Sequence, residues 1–494
     1  MATTRCGAQA RIVLARRLTF FAFCPQSLAW QDHVELPDEL LLGYAVILTM
    51  QLPDGSRRTY LLEAVIRPPS VTYESPNNGI LTVEVPNYYV HSTRSFDTHL
   101  GTQRHNRMLT FEGSFFTQQN DLTSVCAHAA LRTAVNSCAG INGLQAMTQK
   151  GKLTNQYIND ILGIDFSSPR KTLGHYSNDD QAINRKLGLT REDIHTVVES
   201  LGARLLVSNF IEDLSVDYDE FMYPLVESRL PTILEVEGWD RARNQMYAHA
   251  LAVTGHTLNS DRWEPEANVG YGKYPKRQYI QVCEWVCHYV INDDNYGMNV
   301  TLPSSMVRND IVPYKNPNLH ATRVMSIVPR KITWAGYTAQ RRAVSIARAH
   351  IRDTRLASPS YWLDKLKERN QDGNLVFRTV LQENDAYRRY MEDLIQKGII
   401  RATNAQRAYL SSLPKYLWIT EVSIPHLYSG NKAKLGEVVV DASASQKDIE
   451  SGQCVFMAWF PGFLRHRSKQ RSELFGVDTH VPLIRRNGLP LIEW

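Results

Sequence analysis

The chain has 494 residues, of which 43% are hydrophobic and 21% are charged, and its formal net charge is +5. This length and composition allow one large hydrophobic core or two to three smaller ones, and they exclude a disordered chain, a low-complexity chain and a repeat array. No run of about 18 apolar residues occurs, so we expect neither a membrane span nor a membrane partner.

The N-terminal segment is basic but lacks the pattern of a secretory signal. Its first 31 residues contain no acidic residue and four arginines, which are Arg5, Arg11, Arg16 and Arg17. The apolar stretch at residues 18–24 is short and lacks a small-residue cleavage site, so a β-strand is the better prediction. The seven cysteines of the chain are odd in number and thinly scattered, which argues against a disulfide framework. We therefore predict a cytoplasmic protein.

The next part of the chain reads as a series of strands. Residues 43–50, 59–66 and 80–85 have strand composition, and Pro-Asp-Gly and Pro-Asn-Asn-Gly turn sequences separate them. We predict that residues 1–110 form an N-terminal strand-rich segment with a small antiparallel sheet.

A cysteine stands where the next predicted helix begins. The apolar residues from Ala127 to Val135 recur at helical spacing, and Thr123 or Ser124 is a candidate N-cap. Cys126 is therefore predicted in the first turn, where unpaired amides and the helix dipole favour a thiolate, the attacking form of cysteine. Taken alone, Cys126 would be better interpreted as a buried structural cysteine. The residues that follow reverse that preference.

Two glutamines precede this cysteine by seven or eight residues. Gln118 or Gln119 could direct a side-chain amide at a developing oxyanion, together with the backbone N–H of Cys126. The nearer spacing favours Gln119, although the sequence does not separate the two. His128 is close in sequence, but two residues along a helix correspond to about 200°, so we interpret it as a packing or surface residue.

The candidate general base lies on a predicted strand. Residues 231–236 and 249–254 have strand composition, and His249 starts the second of them. From the end of a sheet, its imidazole can take the thiol proton and later protonate the leaving group. His256 ends the same strand about 20 Å away, so at most one of these two histidines can be the base.

An acid closes the next predicted strand, residues 285–292. Asp293 could accept a hydrogen bond from the imidazole, fix its tautomer and stabilise the imidazolium. Asp294 would point to the opposite face if the strand continued, so the two acids are alternatives and Asp293 is preferred.

The order of these segments resembles a known superfamily. Phe-Phe-Thr-Gln-Gln at 115–119 precedes Cys-Ala-His-Ala-Ala-Leu at 126–131, and a histidine strand and an acid-ended strand follow at 249–256 and 288–297. In this arrangement the chain from about residue 43 to about residue 303 resembles the papain-like cysteine peptidase superfamily, and it is most similar to the bacterial C39-like and phytochelatin-synthase-like branch.

The resemblance implies an α+β fold with a papain-like core, in which a catalytic helix packs on an antiparallel sheet within residues 111–310. It also implies a role for four residues: Cys126 as nucleophile, His249 as base, Asp293 as orienting acid and Gln119 as oxyanion donor. The insert at residues 259–278 would either cover this site or form a surface excursion.

The C-terminal region, residues 324–494, is predicted to be mixed α/β and basic. Residues 331–494 hold 25 Lys and Arg against 16 Asp and Glu, whereas the rest of the chain is slightly acidic. Five of these arginines lie on one predicted helix, at Arg341, Arg342, Arg348, Arg352 and Arg355. A solvated basic face is the simpler interpretation, and an acidic protein or a nucleic acid is the candidate partner. The region carries no catalytic motif, so we predict that it binds substrate or a partner.

Neither a cofactor nor a metal ion is expected. Cys283 and Cys287 would lie about 13 Å apart in a strand, too far to share one zinc ion. The leading hypothesis is a thiol hydrolase that cleaves a peptide or isopeptide amide of a peptide or protein substrate through a Cys126 thioester. The alternatives are an acyl or peptidyl transferase with the same residues and an inactive papain-like scaffold used for binding.

Overall fold

A computed structural model describes most of the chain. The described residues are 11–22, 38–52, 54–67, 73–75, 79–81, 88–90, 92–101, 106–119, 126–138, 152–163, 189–210, 217–240, 244–257, 279–308, 319–353, 360–397, 410–431, 434–467 and 472–476.

The strands of the described residues are, in chain order, β1 (Arg11–Phe21), β2 (Leu41–Gln51), β3 (Arg57–Ile66), β4 (Tyr73–Ser75), β5 (Gly79–Leu81), β6 (Tyr88–Val90), β7 (Arg94–Gly101), β8 (Asn106–Phe116), β9 (Ala203–Asn209), β10 (Thr232–Asp240), β11 (Gln245–Thr257), β12 (Ile280–Gln281), β13 (His288–Asp293), β14 (Gly297–Pro303), β15 (Val307–Arg308), β16 (Leu319–Pro329), β17 (Val376–Glu383), β18 (Tyr416–Ser423), β19 (Gly436–Asp441), β20 (Val455–Phe460), β21 (Phe463–Arg467) and β22 (Ser472–Gly476). The α-helices are α1 (Cys126–Ser137), α2 (Asn155–Leu162), α3 (Arg191–Ser200), α4 (Tyr218–Glu227), α5 (Gly336–Arg352), α6 (Tyr361–Gln371), α7 (Asn384–Gln396), α8 (Pro425–Asn431) and α9 (Gln446–Glu450).

The molecule combines helices with mostly antiparallel sheets, as the α+β prediction requires. The short pairs β12–β17 and β15–β16 are parallel, whereas the longer pairs β1–β2, β10–β11 and β17–β18 are antiparallel. The described residues divide into two compact units, one drawn from residues 1–214, 229–257 and 288–328 and the other from 215–228, 258–287 and 329–494. The predicted division at 1–110, 111–310 and 324–494 remains a prediction, and its first boundary lies inside β8.

The first unit contains two large sheets. The first sheet has the order β1-β2-β3-β8-β7. The second sheet has the order β14-β13-β11-β10-β16-β15, and β6 pairs with β11 and β9 with β16. The predicted strands at 43–50 and 59–66 are β2 and β3 of the first sheet, and the basic N-terminal segment supplies β1, which pairs with β2. Only part of the predicted strand at 80–85 lies in the described residues, as the end of β5.

Helix α1 is buried between strands of both sheets. Every residue from Ala127 to Ser137 is buried, and the helix packs against β8 and β11. Ser137 at its end hydrogen-bonds the backbone of Phe115 on β8, at 2.9 Å from the Phe115 nitrogen and 3.2 Å to its oxygen. The side chain of Asn292 on β13 donates to the same Phe115 oxygen at 3.2 Å. These contacts fix the end of α1 on β8 and join β8 to β13.

Strands β10 and β11 are longer than the sequence pattern predicts. Residues 238–245 are predicted as a polar loop, but β10 extends to Asp240 and β11 begins at Gln245. The pairing is regular from Thr232↔Val253 to Asp240↔Gln245. The backbone ladder continues through polar residues because its hydrogen bonds do not depend on apolar side chains.

The second unit is built on a third sheet, β12-β17-β18-β19-β20-β21-β22. The predicted helices at 338–353 and 385–397 are α5 and α7, and the predicted strands at 417–424, 436–440 and 454–460 are β18, β19 and β20. Strands β18 and β19 pair antiparallel as predicted, although α8 lies between them in the chain.

Buried charges cross the core of the second unit. Arg378 on β17 pairs with Glu227 of α4 and, at 3.1 Å, with Glu421 of β18. Lys434 pairs with Glu421 at 3.3 Å and with Glu437 of β19 at 2.5 Å. All five side chains are at most 5% exposed.

The arginines of α5 make contacts within the protein. Arg341 pairs with Glu220 at 3.9 Å and stacks on the ring of Tyr337, and the Nε of Arg348 donates to Asn370 at 2.9 Å. These contacts engage part of the basic face on which the predicted acidic or nucleic-acid partner depends. In the part of the chain that is described, no helix has both the length and the apolar character needed to cross a membrane.

Candidate active site

Cys126 is the first residue of α1 and is partly exposed, unlike the rest of the helix. Its position agrees with the prediction of a thiol in the first turn, where backbone amides face outward. The candidate caps Thr123 and Ser124 lie outside the described residues. The thiol of Cys126 is hydrogen-bonded to the imidazole of His249.

His249 lies in the interior of β11 rather than at the start of a strand, because β11 begins four residues earlier. It stands opposite Val236 of β10, and its side chain is 11% exposed. Alternation along the strand fixes the face on which the ring lies. A histidine inside a strand and paired with β10 is held more rigidly than one at a strand end would be.

Two carboxylates contact the same ring nitrogen. The Nε2 of His249 lies 3.0 Å from Oδ1 of Asp293 and 3.3 Å from Oδ1 of Asp294. The prediction that the two acids are alternatives is wrong, because both reach the ring. Strand β13 ends at Asp293 and residues 294–296 form a turn, so the alternation of faces no longer applies. Asp293 has the shorter contact, as preferred from the sequence.

The electrostatics of the site favour an imidazolium ion. Burial lowers the pKa of His249, but the hydrogen bonds with Asp293 and Cys126 and the charges of Asp294 and Asp293 outweigh it and raise the pKa to about 10. Burial raises the pKa of Asp293. The hydrogen bonds that its carboxylate accepts from His249 and from the backbone N–H of Asn295 lower the pKa by more, so the net shift is downward. The proton therefore stays on the ring at neutral pH.

The structure separates the two candidate glutamines. Gln118 is hydrogen-bonded to the backbone of β3 in two ways. Its side-chain Oε1 accepts from the backbone nitrogen of Leu61 at 3.1 Å, and its backbone nitrogen donates to the backbone oxygen of Leu61 at 3.1 Å. Gln119 instead donates from Nε2 to Oδ1 of Asn295 at 2.8 Å. Gln119, the preferred residue, is thus the glutamine that reaches the turn beside His249.

Asn295 is a site residue that the sequence reasoning missed. Its backbone nitrogen donates to Oδ1 of Asp293 at 2.8 Å, and its Nδ2 lies 3.3 Å from Nε2 of His249. The run Asp-Asp-Asn-Tyr-Gly signals a turn, and turn asparagines are common. The contacts of Asn295 with Gln119 and His249 are what assign this asparagine to the site.

The other two histidines near these segments are structural. His128 is 3% exposed and its Nε2 lies 3.4 Å from Oδ1 of Asn159 on α2. Burial, with a further contribution from the charge of Arg132, lowers the pKa of His128 to about 4. His256 is buried opposite Tyr289 of β13, and its Nδ1 lies 3.0 Å from the Thr257 oxygen. Both fit the predictions made from spacing.

The same carboxylates raise the question of a metal ion. Among the described residues, ligand atoms of His249, Asp293 and Asp294 all lie within 4.8 Å of one another and could hold one. A histidine that binds a metal ion must offer an unprotonated nitrogen, so an ion here would have to displace the proton that the two acids favour on the ring. In the described part of the chain Cys283 and Cys287 join no such group, and Cys283 lies in a 3₁₀ turn, so the strand distance considered for the pair does not apply.

The site therefore consists of a thiol, an imidazole, two carboxylates and two amides, all within the first unit. Comparisons with protein-family models, with curated proteins and with solved structures found no match to the chain.

Proposed function

We propose that the protein is a papain-like cysteine hydrolase that cleaves a peptide or isopeptide amide through a Cys126 thioester. The observation that carries the proposal is the hydrogen-bonded series from Cys126 to His249 to Asp293, with the thiol at the first residue of a buried helix. Helix α1 packed on the antiparallel strands β11 and β13 supports the papain-like core that the resemblance implies.

The ring nitrogens of His249 take different roles in this mechanism. Nε2 is engaged by Asp293 and Asp294, so Nδ1 is the nitrogen left to exchange a proton with the thiol. Asp293 keeps the Nε2 proton in place throughout and stabilises the positive ring.

The reaction then proceeds in two halves. The Cys126 thiolate attacks the amide carbonyl carbon, and the tetrahedral oxyanion receives hydrogen bonds from the backbone N–H of Cys126 and the side chain of Gln119. The C–N bond breaks as Nδ1 of His249 gives its proton to the leaving amine. Water, deprotonated by Nδ1, next attacks the thioester carbon, the C–S bond breaks, and the thiolate–imidazolium pair is restored.

The first test measures the reactivity of Cys126. The purified protein is treated with limiting iodoacetamide from pH 5 to pH 9, and the alkylated cysteines are located by peptide mass. Exposed Cys287 is an internal control, because it lies outside the site. We expect Cys126 to react faster than Cys287 below pH 7, and His249→Ala to abolish that advantage. Asp293→Asn should reduce it.

The second test asks for turnover. Fluorogenic peptide and isopeptide libraries are offered to the protein and to Cys126→Ala, with EDTA as a control for a metal-dependent reaction. Cleavage that is lost in Cys126→Ala and resists EDTA supports the hydrolase. Amide products formed only with an added amine acceptor would identify the transferase alternative. If Cys126 reacts no faster than Cys287 and a partner binds Cys126→Ala unchanged, the proposal fails and the binding scaffold replaces it.

A further inference from the structure

The turn after β13 contacts both the base and the proposed oxyanion donor. Oδ1 of Asp293 accepts a hydrogen bond from Nε2–H of His249, with 3.0 Å between nitrogen and oxygen, and another from the backbone N–H of Asn295 at 2.8 Å. Oδ1 of Asn295 receives a hydrogen bond from Nε2 of Gln119 at 2.8 Å. Four side chains on three separate segments are therefore joined in one series.

The series limits the freedom of the Gln119 side chain. The backbone of Gln119 is fixed by its neighbour Gln118, which is hydrogen-bonded to β3 through both its backbone and its side chain. The long side chain of a glutamine would otherwise sample several rotamers. The Asn295 carbonyl accepts one of the two N–H groups of the Gln119 amide, and the second can donate to another acceptor.

The geometry points to Asn295 as a positioning residue that holds the Gln119 amide beside His249, so that its second N–H can serve the oxyanion. This inference rests on the proposed function. Because Asp293 fixes both the imidazole and the backbone of Asn295, one turn sets the base and the oxyanion donor relative to each other. Such preorganisation is what makes an oxyanion donor effective, since the donor need not reorient during the reaction.

Two reactions of the same thiol isolate this role. Iodoacetamide alkylation is a displacement at a saturated carbon and forms no oxyanion, whereas acylation by p-nitrophenyl acetate passes through a tetrahedral oxyanion. Both depend on the Cys126–His249 pair. The ratio of the acylation rate to the alkylation rate therefore measures how well the oxyanion is stabilised. Changes in the reactivity of the thiol affect both rates and cancel in the ratio.

The ratio is measured in the full chain for Asn295→Ala, Asn295→Asp, Gln119→Ala and the Asn295→Ala/Gln119→Ala double variant. Gln119→Ala should lower the ratio roughly 10- to 100-fold, at or below the usual range for losing one oxyanion donor. Asn295→Ala should produce most of the decrease in the ratio that Gln119→Ala produces. Asn295→Asp keeps an acceptor oxygen for the Gln119 amide, so it should restore the ratio to within about twofold, the ordinary error of additivity.

The double variant and a surface control decide the outcome. If Asn295 acts through Gln119, the double variant has the ratio of Gln119→Ala alone. Tyr296→Ala, which removes an 84% exposed ring from the same turn, should leave the ratio unchanged. The inference is overturned if the two single effects multiply in the double variant, or if Asn295→Ala slows both reactions equally. If unsubstituted Cys126 reacts no faster than Cys287, the proposed function fails and the inference falls with it.

Discussion

At the scale of single residues, the site is governed by the charge on one imidazole ring. Two carboxylates within 3.3 Å of Nε2 and the thiol contact together outweigh the cost of burying the ion, so the pKa of His249 rises to about 10. A base whose folded pKa lies above its unfolded value adds stability that is complete below about pH 6.5. That stability is lost as the pH rises through about 10. The His249 ring should accordingly stay protonated across the neutral range.

The two acids should contribute unequally to this shift. Asp293 offers the ring a hydrogen bond and a charge, whereas Asp294 acts through its charge. We expect Asp293→Asn to lower the pKa of His249 more than Asp294→Asn does, and both variants to lower it. An NMR titration of the ring protons from pH 5 to pH 11 measures the three values. Equal pKa values in all three proteins would contradict the assignment.

His128 should make the protein sensitive to acid. Burial lowers its pKa to about 4, so between about pH 4 and pH 6.5 the unfolded chain binds a proton that the folded protein does not. The free energy of unfolding should fall by roughly 1–2 kcal/mol from this group as the pH drops from 7 to 5. In His128→Gln that part of the pH dependence should disappear in urea titrations at each pH. His195→Gln, a substitution of an exposed histidine on α3, is the matched control and should keep the wild-type pH slope.

The sequence located some site residues and missed others, for identifiable reasons. Cys126 and His249 carry chemistry that a pattern can single out, and they lie together. The orientation of Asp294 depends on whether a strand ends at residue 293 or continues, and the composition of the turn does not decide this. The role of Asn295 depends on Gln119, which is 176 residues away in the chain, so no local pattern could indicate it.

At the scale of elements, local signals were strongest where a cap and an apolar face agree. Helix α3, which is followed by the short strand β9, is an example. Thr190 accepts from the Asp193 nitrogen at 3.1 Å, and Asp193 accepts from the Thr190 nitrogen at 2.8 Å, which forms a capping box. Ile194, Val197 and Val198 form its buried face. By contrast, the ends of β10 and β11 were misplaced because backbone pairing continues through residues that have no strand pattern.

The capping box predicts that the same substitution, threonine to alanine, has opposite effects on stability at two positions of α3. Thr190→Ala removes a side-chain acceptor from the start of α3 and should lower the free energy of unfolding by about 1 kcal/mol. Thr196→Ala changes the same residue type in the exposed middle of α3 and should raise it by up to about 0.5 kcal/mol, because alanine has the higher helix propensity. Urea denaturation of the two variants measures both. A loss of the same size in each would show that the cap contributes nothing special.

At the scale of the whole molecule, the two compact units are interleaved in sequence. Residues 215–228 and 258–287 belong to the second unit although the chain before and after them belongs to the first. Changes of composition along the sequence can only divide the chain into consecutive segments, such as 1–110 and 111–310. Pairings such as Arg378 with Glu227, between strand β17 and helix α4, are fixed by tertiary packing. No linker composition signals them.

The buried charges of the second unit make its stability depend on complete pairing. Lys434 is 2% exposed and lies between Glu421 and Glu437, and Tyr387 donates to Glu437 at 2.6 Å. Burial disfavours the charged amine of Lys434. The charge of Glu437 and the hydrogen bonds that the amine makes outweigh this effect and raise the pKa of Lys434. Removing one partner of such a set leaves buried carboxylates without their counter-charge.

Lys434→Met should therefore destabilise the second unit by about 3–5 kcal/mol while the first unit keeps its stability. Two buried cysteines report the units separately: Cys454 in the second and Cys138 in the first. In pulsed N-ethylmaleimide labelling across a urea series, Cys454 should become reactive at lower urea in the variant, and Cys138 at the same urea as in the wild type. Lys365→Met is the matched control, since Lys365 pairs with Glu368 on an exposed helix face and its loss should leave both cysteines reactive at the same urea concentrations as in the wild type. An equal shift of Cys454 and Cys138 would mean instead that the two units unfold as one, and that the buried charges stabilise the entire molecule.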